Sequence, residues 1–333
     1  VSLGAVWAAL AQDFWILLVA RLVQGFAVGA LGVAANQHLL VITPREVLGR
    51  ATALLQTGIV LGASLGPFFG GVMADLGDAR TPFWAQAVLS LLLVPVILAV
   101  MGDGPTETRT VRASLRMAGD LLRRPVCLGV LALGFALFFL RAGARNALLP
   151  AYADEVGGLS PTAIGLVVSA SSLTSVVAMI PTGRLVDRVG RKPVTLVGVL
   201  AVAASVALYG TTSSLWGLLA VSGLAGLTVG LASVPLPTMV GDLAPPGSEG
   251  IASGVFRMAA DLGWIVGPLV LGAMADERLW GWGFVVAGVP IVLLGLLFLR
   301  APETGRQEPG IGRQEPGVGR QEPGIGRPRA GGV

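Results

Sequence analysis

Four arginines stand inside otherwise apolar stretches of this 333-residue chain: Arg21, Arg141, Arg145 and Arg257. A guanidinium is always ionised, and an ion at the centre of a bilayer costs about 2.5–3.5 kcal/mol on insertion scales, so each of these needs water, a counter-charge or an aromatic face. Arg257 has Asp261 four residues on, a spacing that places both on one face of a helix. A local ion pair is the plain reading. The functional one is a proton relay, with Asp261 as the acid, because burial raises a carboxylate pKa. Arg141 and Arg145 share that spacing, with Asn146 beside them. Two like charges on one face call for an anion, a carboxylate or water, so the three are candidates for a substrate cavity; the alternative is an outer-rim position just before Pro150. Arg21, with Gln24 three residues later, is either a charge-relay group facing a cavity or a side chain snorkelling to the outer interface.

Other chemistries find little support. Gly62-Ala63-Ser64-Leu65-Gly66 has the letters of a nucleophile elbow, but an elbow needs a strand–turn–helix context and this stretch lies within an apolar helical run. One cysteine, Cys127, rules out an intramolecular disulfide, and one histidine, His38, leaves no His- or Cys-built metal centre. His38 lies near the inner end of its segment, where a lone histidine is more often incidental than a pH sensor. No phosphate-binding motif is present, so nucleotide-driven work is not expected. The expectation is a protein that is not an enzyme and carries no cofactor and no metal.

The elements that position these residues are helical. Apolar residues make up 54% of the chain and charged ones 13%, with a mean hydropathy of +0.79. Runs near the roughly 20 residues that cross a bilayer recur, and the short alternating runs of a β-barrel do not. The pattern predicts segments at 1–12, 16–42, 49–75, 82–101, 126–150, 161–183, 192–211, 215–241, 250–275 and 281–300, an all-α polytopic membrane protein. The +4 charge is not a nucleic-acid signal. Most Lys and Arg fall in alternate loops and the tail, and only Arg80 and Arg278 fall in the opposite loops. By the positive-inside rule this puts 43–49, 101–125, 184–191, 242–249 and the C-terminus in the cytoplasm.

Residues 17–75 are echoed by 218–276, 201 positions on, without a gap. Gly25/Gly226, Gly62/Gly263, Gly66/Gly267, Pro67/Pro268, Gly71/Gly272 and Asp75/Asp276 are among the matched pairs. Two related membrane halves are a signature of secondary transporters. By the same offset a partner for the segment at 126 would lie about 75 residues before Val1, so the expectation is a twelve-helix protein whose first bundle here lacks about two and a half helices.

Three motifs then take on meaning. Between two segments stands PTGRLVDRVGRKP, residues 181–193. Gly183 and Gly190 would allow a tight turn and close helix approach, and Asp187 would face a helix N-terminus or pair with Arg188 and Arg191. With Lys192 they form a candidate conformational latch; a plain basic turn is the ordinary alternative. In GIVLGASLGPFFGG, Gly58, Gly62, Gly66 and Gly70 fall every four residues, a small face for close helix packing, with Pro67 bending the helix and Gly71 adding room. The third is LLVARLVQGFAVGA, with Arg21, Gln24, Gly25 and Gly29.

On these motifs the chain resembles the major facilitator superfamily over residues 1–300. The 181–193 stretch is similar to its loop signature, 58–71 to the fifth-helix signature of its proton-coupled antiporters, and 17–30 to its fourth-helix signature. The resemblance implies two pseudo-symmetric six-helix bundles, a central site lined by helices four, seven and ten with the first, and alternating access by rocking. It further implies a role for Arg21 in proton transfer, and proton-coupled efflux of a small organic molecule, a drug or a metabolite such as a sugar. An uptake symporter of the same fold and a non-transporting fragment or sensor remain alternatives. The domain division expected is 1–100 as the remnant of the first bundle (helices 3–6), 101–125 as a cytoplasmic linker, 126–300 as the second bundle (helices 7–12), and 301–333 as a disordered tail of GRQEPGI-type repeats. The expected partners are a small-molecule substrate, protons and the lipid bilayer, without nucleic acid; a monomer in the plasma membrane is expected.

Overall fold

A computed structural model of the chain describes residues 1–44, 47–100, 111–244 and 249–299. The tail at 301–333 lies outside the described residues. Among those described, thirteen α-helices follow one another without a strand. The first group is α1 (Ser2–Ala9), α2 (Phe14–Ile42), α3 (Leu48–Leu76) and α4 (Thr81–Val100). A short α5 (Val111–Leu122) in the expected linker leads to α6 (Pro125–Leu140), which runs through a π-helical segment (Arg141–Leu148) into α7 (Leu149–Glu155). Then come α8 (Pro161–Val189), α9 (Arg191–Ala207), a 3₁₀ turn (Leu208–Thr211), α10 (Leu215–Ser233), α11 (Pro235–Leu243), α12 (Glu249–Asp276) and α13 (Trp280–Phe298). Nine spans among the described residues are long and apolar enough to cross a membrane.

Local chemistry sets the boundaries. Asp13 accepts from the Ile16 N–H at 2.9 Å, Ser160 from the Ala163 N–H at 3.3 Å and Ser214 from the Gly217 N–H at 3.2 Å, each satisfying a first-turn donor that the helix cannot. Ser160 caps α8 and Pro161 fills its first turn, where a missing N–H leaves no helix bond unmade. Asp78 accepts from the backbone N–H groups of Arg80 and Thr81 ahead of α4, and those bonds hold its carboxyl below the usual carboxylate range.

The duplication is visible in the helix bounds. α2 begins at Phe14 where α10 begins at Leu215, and ends at Ile42 where α11 ends at Leu243; α3 begins at Leu48 where α12 begins at Glu249. Each start and end is offset by the same 201 positions that separate the sequence echo.

Two expectations need correction. The helix predicted over 126–150 continues to Glu155. Pro150 does not end it: the chain keeps helical dihedrals through Leu148 and Leu149, and the proline is carried just past the π-helical segment at the start of α7. The loop predicted over 184–191 is a single residue. α8 runs on to Val189 and α9 starts at Arg191, with Gly190 between them at φ 103°, a backbone conformation that favours glycine.

The buried core belongs to the second half. Leu133, Leu137 and Leu140 of α6, Leu218, Met239 of α11, and Phe284 and Ile291 of α13 are fully buried. Phe284 stacks edge-on to Tyr152 at 5.5 Å and tilted to Tyr209 at 5.4 Å, and the Tyr209 hydroxyl is satisfied by Ser222 Oγ at 2.8 Å. α1 packs with α2 and α4, and α3 leaves that group to pack along α8.

Candidate functional site

The α3–α8 seam is the place where the two halves meet most closely. α8 begins with Pro161, and its orphan N–H at Thr162 donates to Asp75 Oδ2 at 2.9 Å, a carboxylate set on the positive end of a helix dipole. One to two turns deeper, a side chain on Gly71 would collide with the Pro161 carbonyl, and one on Gly165 would collide with that of Pro67. The two backbones therefore touch only because both positions lack a Cβ. The Phe68 N–H donates to Ser169 Oγ at 3.1 Å, closing the seam.

Beside the seam lies a cleft of about 560 Å³. Pro67 and Gly71 of α3 line it, facing Asn146 of the π segment, Asp154 of α7, and Ile164 and Val168 of α8. This volume is within the range of small-molecule sites, and most of the lining is apolar with a few polar groups. The structure thus brings together Asn146, from the cavity candidates, with Pro67 and Gly71, from the glycine-rich motif.

The π segment also positions the two arginines. Its bonds reach five residues back, as from the Leu149 N–H to the Ala144 carbonyl, and such widened turns are frequent at functional sites. One face of the segment is fixed by Gly143, where a Cβ would stand 2.6 Å from the Gly267 carbonyl of α12. Arg141 and Arg145 line a second, small enclosure with Ser171 of α8, Val206 of α9, Tyr209, and Ala225 and Val229 of α10. Arg141 lies over the Phe138 ring at 5.3 Å, and its Nε is buried without a hydrogen-bond partner. Arg145 Nε donates to Asn146 Oδ1 at 3.2 Å, which ties the enclosure to the cleft. Among the described residues neither arginine makes an ion pair.

The remaining candidates are separate. Arg257 Nε donates to both Asp261 oxygens, at 3.0 and 3.2 Å, so the pair is local and largely exposed. Arg21 donates to Gln24 Oε1 at 2.7 Å and lies 4.4 Å over the Phe83 ring, while Gln24 Nε2 is buried and unpartnered. No hydrogen bond or ion pair joins Arg21 to Arg257 or Asp261.

The latch residues divide differently from the expected scheme. Asp187 makes no ion pair among the described residues. Arg191 instead pairs with Asp242 and donates to the Thr238 carbonyl at 3.1 Å, and Lys192 donates to the Leu299 carbonyl at 2.7 Å. The reason is the continuous helix: Asp187 and Arg188 stay on the last turns of α8, whereas Gly190 redirects the chain so that Arg191 opens α9 against α11. Gly183 has open space where a Cβ would stand, so the close approach expected there is absent. The same holds at Gly58, Gly62, Gly66 and Gly70, since α3 meets α8 through its Pro67–Gly71 face. Sequence reasoning missed Asp75, Asp154, Ser171, Tyr209 and Asp242. Only Asp75 carried a signal, as a matched position of the duplication.

Comparison with known proteins supplies the family. The model of the Major Facilitator Superfamily matches residues 1–157 and 131–326. The synaptic vesicular amine transporter of Bos taurus is 25% identical over 314 residues, covering 92% of this chain and 60% of that protein. A probable sugar efflux transporter of Helicobacter pylori (strain P12) is 24% identical over 301 residues, covering 90% of this chain and 75% of that protein. Among solved structures, a D-xylose-proton symporter matches with a TM-score of 0.67 at 18% identity, over 91% of this chain and 78% of that one. The chain thus spans about three fifths of the length of the amine transporters it matches.

Proposed function

The chain belongs to the Major Facilitator Superfamily, a multi-pass membrane transporter family, and from that premise we propose that it serves proton-coupled efflux of a small organic molecule by alternating access. The observation that carries the proposal is the α3–α8 seam beside the 560 Å³ cleft: two halves joined by a close backbone contact at Gly71 and Gly165 next to a space of ligand size. A seam held by Asp75, Gly71 and Gly165 can part without unpacking a core, which rocking requires. The orientation we propose places the seam at the outer ends of α3 and α8, in the plasma membrane, with the α8–α9 break in the cytoplasm. The substrate class we favour is a drug or a metabolite such as a sugar, consistent with relatives named for amine transport and sugar efflux. The working unit is proposed to be a monomer that uses the proton gradient, with Asp261 and Arg21 as charge-relay candidates.

Direction is tested in inside-out membrane vesicles. An exporter takes up labelled sugar or amine into such vesicles when their lumen is acid, and a protonophore abolishes the uptake. Accumulation only in right-side-out vesicles would establish the uptake symporter instead. No proton-dependent flux in either orientation would remove the transport reading for this chain.

A further inference from the structure

We propose that the enclosure at Arg141 and Arg145 is an anion-binding site, which takes one negatively charged group: a resident halide or, on the transport reading above, the carboxylate of the transported molecule. Two guanidinium groups one turn apart lie in a compartment whose other walls are Leu140, Ala144, Ser171, Val206, Tyr209, Ala225 and Val229. None of these residues carries negative charge, and the ion pairs among the described residues lie elsewhere, at Asp120, Glu155, Asp242 and Asp261. Both arginines are half-buried, and holding two like charges close together there without a counter-charge is unfavourable through repulsion and partial desolvation. The contacts present do little to offset this. Phe138 offers a ring face to Arg141, and Asn146 accepts one bond from Arg145. The Arg141 Nε–H has no acceptor at all. An anion at this point would take that donor, cancel the repulsion and find further donors in the Ser171 hydroxyl and the rest of both guanidinium groups.

Size narrows the ligand. The free space is about 10 Å³, the least that holds one water-sized body, so the ligand is at most a single small ion or the tip of a carboxylate, admitted as the two arginine side chains draw back. It is too small for a whole sugar or drug. The Arg145–Asn146 bond stands between this enclosure and the 560 Å³ cleft, so an organic anion whose body occupies the cleft reaches the arginines by displacing Asn146 from Arg145.

The test uses the purified chain in lipid nanodiscs, titrated from low salt with sodium chloride in one arm and sodium benzoate in the other. Thermal midpoints are read for the parent, Arg141→Gln, Arg145→Gln and Arg141→Lys, with Arg278→Gln as a control that removes the same charge from the exposed pair with Glu155. The expected result is a saturable rise of roughly 5 °C for the parent and the control at one hundred times the dissociation constant. Arg141→Lys keeps a weakened rise, since the ammonium retains the charge but loses the fork. Arg141→Gln and Arg145→Gln lose the rise. Without anion they melt above the parent, having shed an uncompensated charge, and at saturation below it. A rise with chloride alone assigns a resident inorganic ion; a rise with benzoate alone assigns a carboxylate-bearing substrate. Equal responses in the parent and both glutamine variants, or none in any protein, would overturn the site. Transport lost with the anion response intact would remove the exporter reading and leave the site standing, and the reverse outcome would remove the site alone.

Discussion

α3 and α12 are two copies of one helix that ended in different surroundings. Both carry Gly-x-x-x-Gly-Pro, at Gly62, Gly66 and Pro67 in α3 and at Gly263, Gly267 and Pro268 in α12. In α12 the glycines are in use: Cβ atoms there would collide with the Phe135 and Phe139 carbonyls of α6. In α3 the same positions meet nothing within 4 Å, and the close backbone approaches lie elsewhere on the helix, at Gly71 and at the Pro67 carbonyl, both against α8. Burial follows, with 11% of the apolar window of α3 buried against 28% of that of α12. A small-residue stripe is thus permission for close packing, and the neighbouring helix decides whether the permission is used.

The comparison breaks most sharply at Gly267. Gly267→Val drives two methyls into the Phe139 carbonyl and the Gly143 amide, and the backbones of α6 and α12 must separate. We expect a loss of about 1–3 kcal/mol, read as a lower thermal midpoint in nanodiscs. Gly66→Ala, at the copied position, should be neutral or gain up to about 1 kcal/mol from helix propensity. Equal losses at both would show that α3 has a partner on that face.

Next in size is the seam. Gly165→Val forces α8 away from the Pro67 carbonyl and should open the joint between halves while leaving the α6–α12 core intact. Cysteines introduced at Leu76 and Leu159 and labelled with spin probes would report a broadened distance distribution. An unchanged distribution would mean that the seam does not depend on the missing Cβ. A smaller effect is expected at Arg191→Gln, which removes the ion pair with Asp242 and a bond to the end of α11. Both groups are about one-third exposed, so a loss of about 1 kcal/mol is expected. Asp187→Asn should cost nothing measurable, and a loss equal to that of Arg191→Gln would restore Asp187 as the latch acid.

The extent of sequence legibility follows the same line. The helices were readable because apolar run length is set by bilayer thickness. The pairing of Arg257 with Asp261 was readable because one turn of helix dictates it. What could not be read were partners far apart in the chain. Asp75 reaches Thr162 across 87 positions, and Arg191 finds Asp242 rather than the nearer Asp187, because helix packing and not spacing sets those distances. The π segment was also invisible, since nothing in Arg141–Leu148 distinguishes a five-residue from a four-residue bond pattern. Its consequence, that Arg141 and Arg145 share an enclosure with Tyr209 and Ser171, had to come from the fold.

The smallest structural effect belongs to the position where the two copies differ in charge. α12 carries Arg257 and Asp261 where α3 has Gln56 and Val60, so the ion pair is present in one copy alone. The pair is largely exposed and one turn apart, so Asp261→Asn should cost only about 0.3–0.5 kcal/mol of stability. A structural role ends there. A charge-relay role predicts far more in the vesicle assay: proton-driven flux falls at least tenfold, while exchange of substrate down its own gradient, which needs no net proton movement, continues. Asp261→Glu keeps the acid and should restore a measurable part of the driven flux. If Asp261→Asn leaves driven flux unchanged, the pair is a surface ornament of α12, and the asymmetry between the copies has no part in coupling.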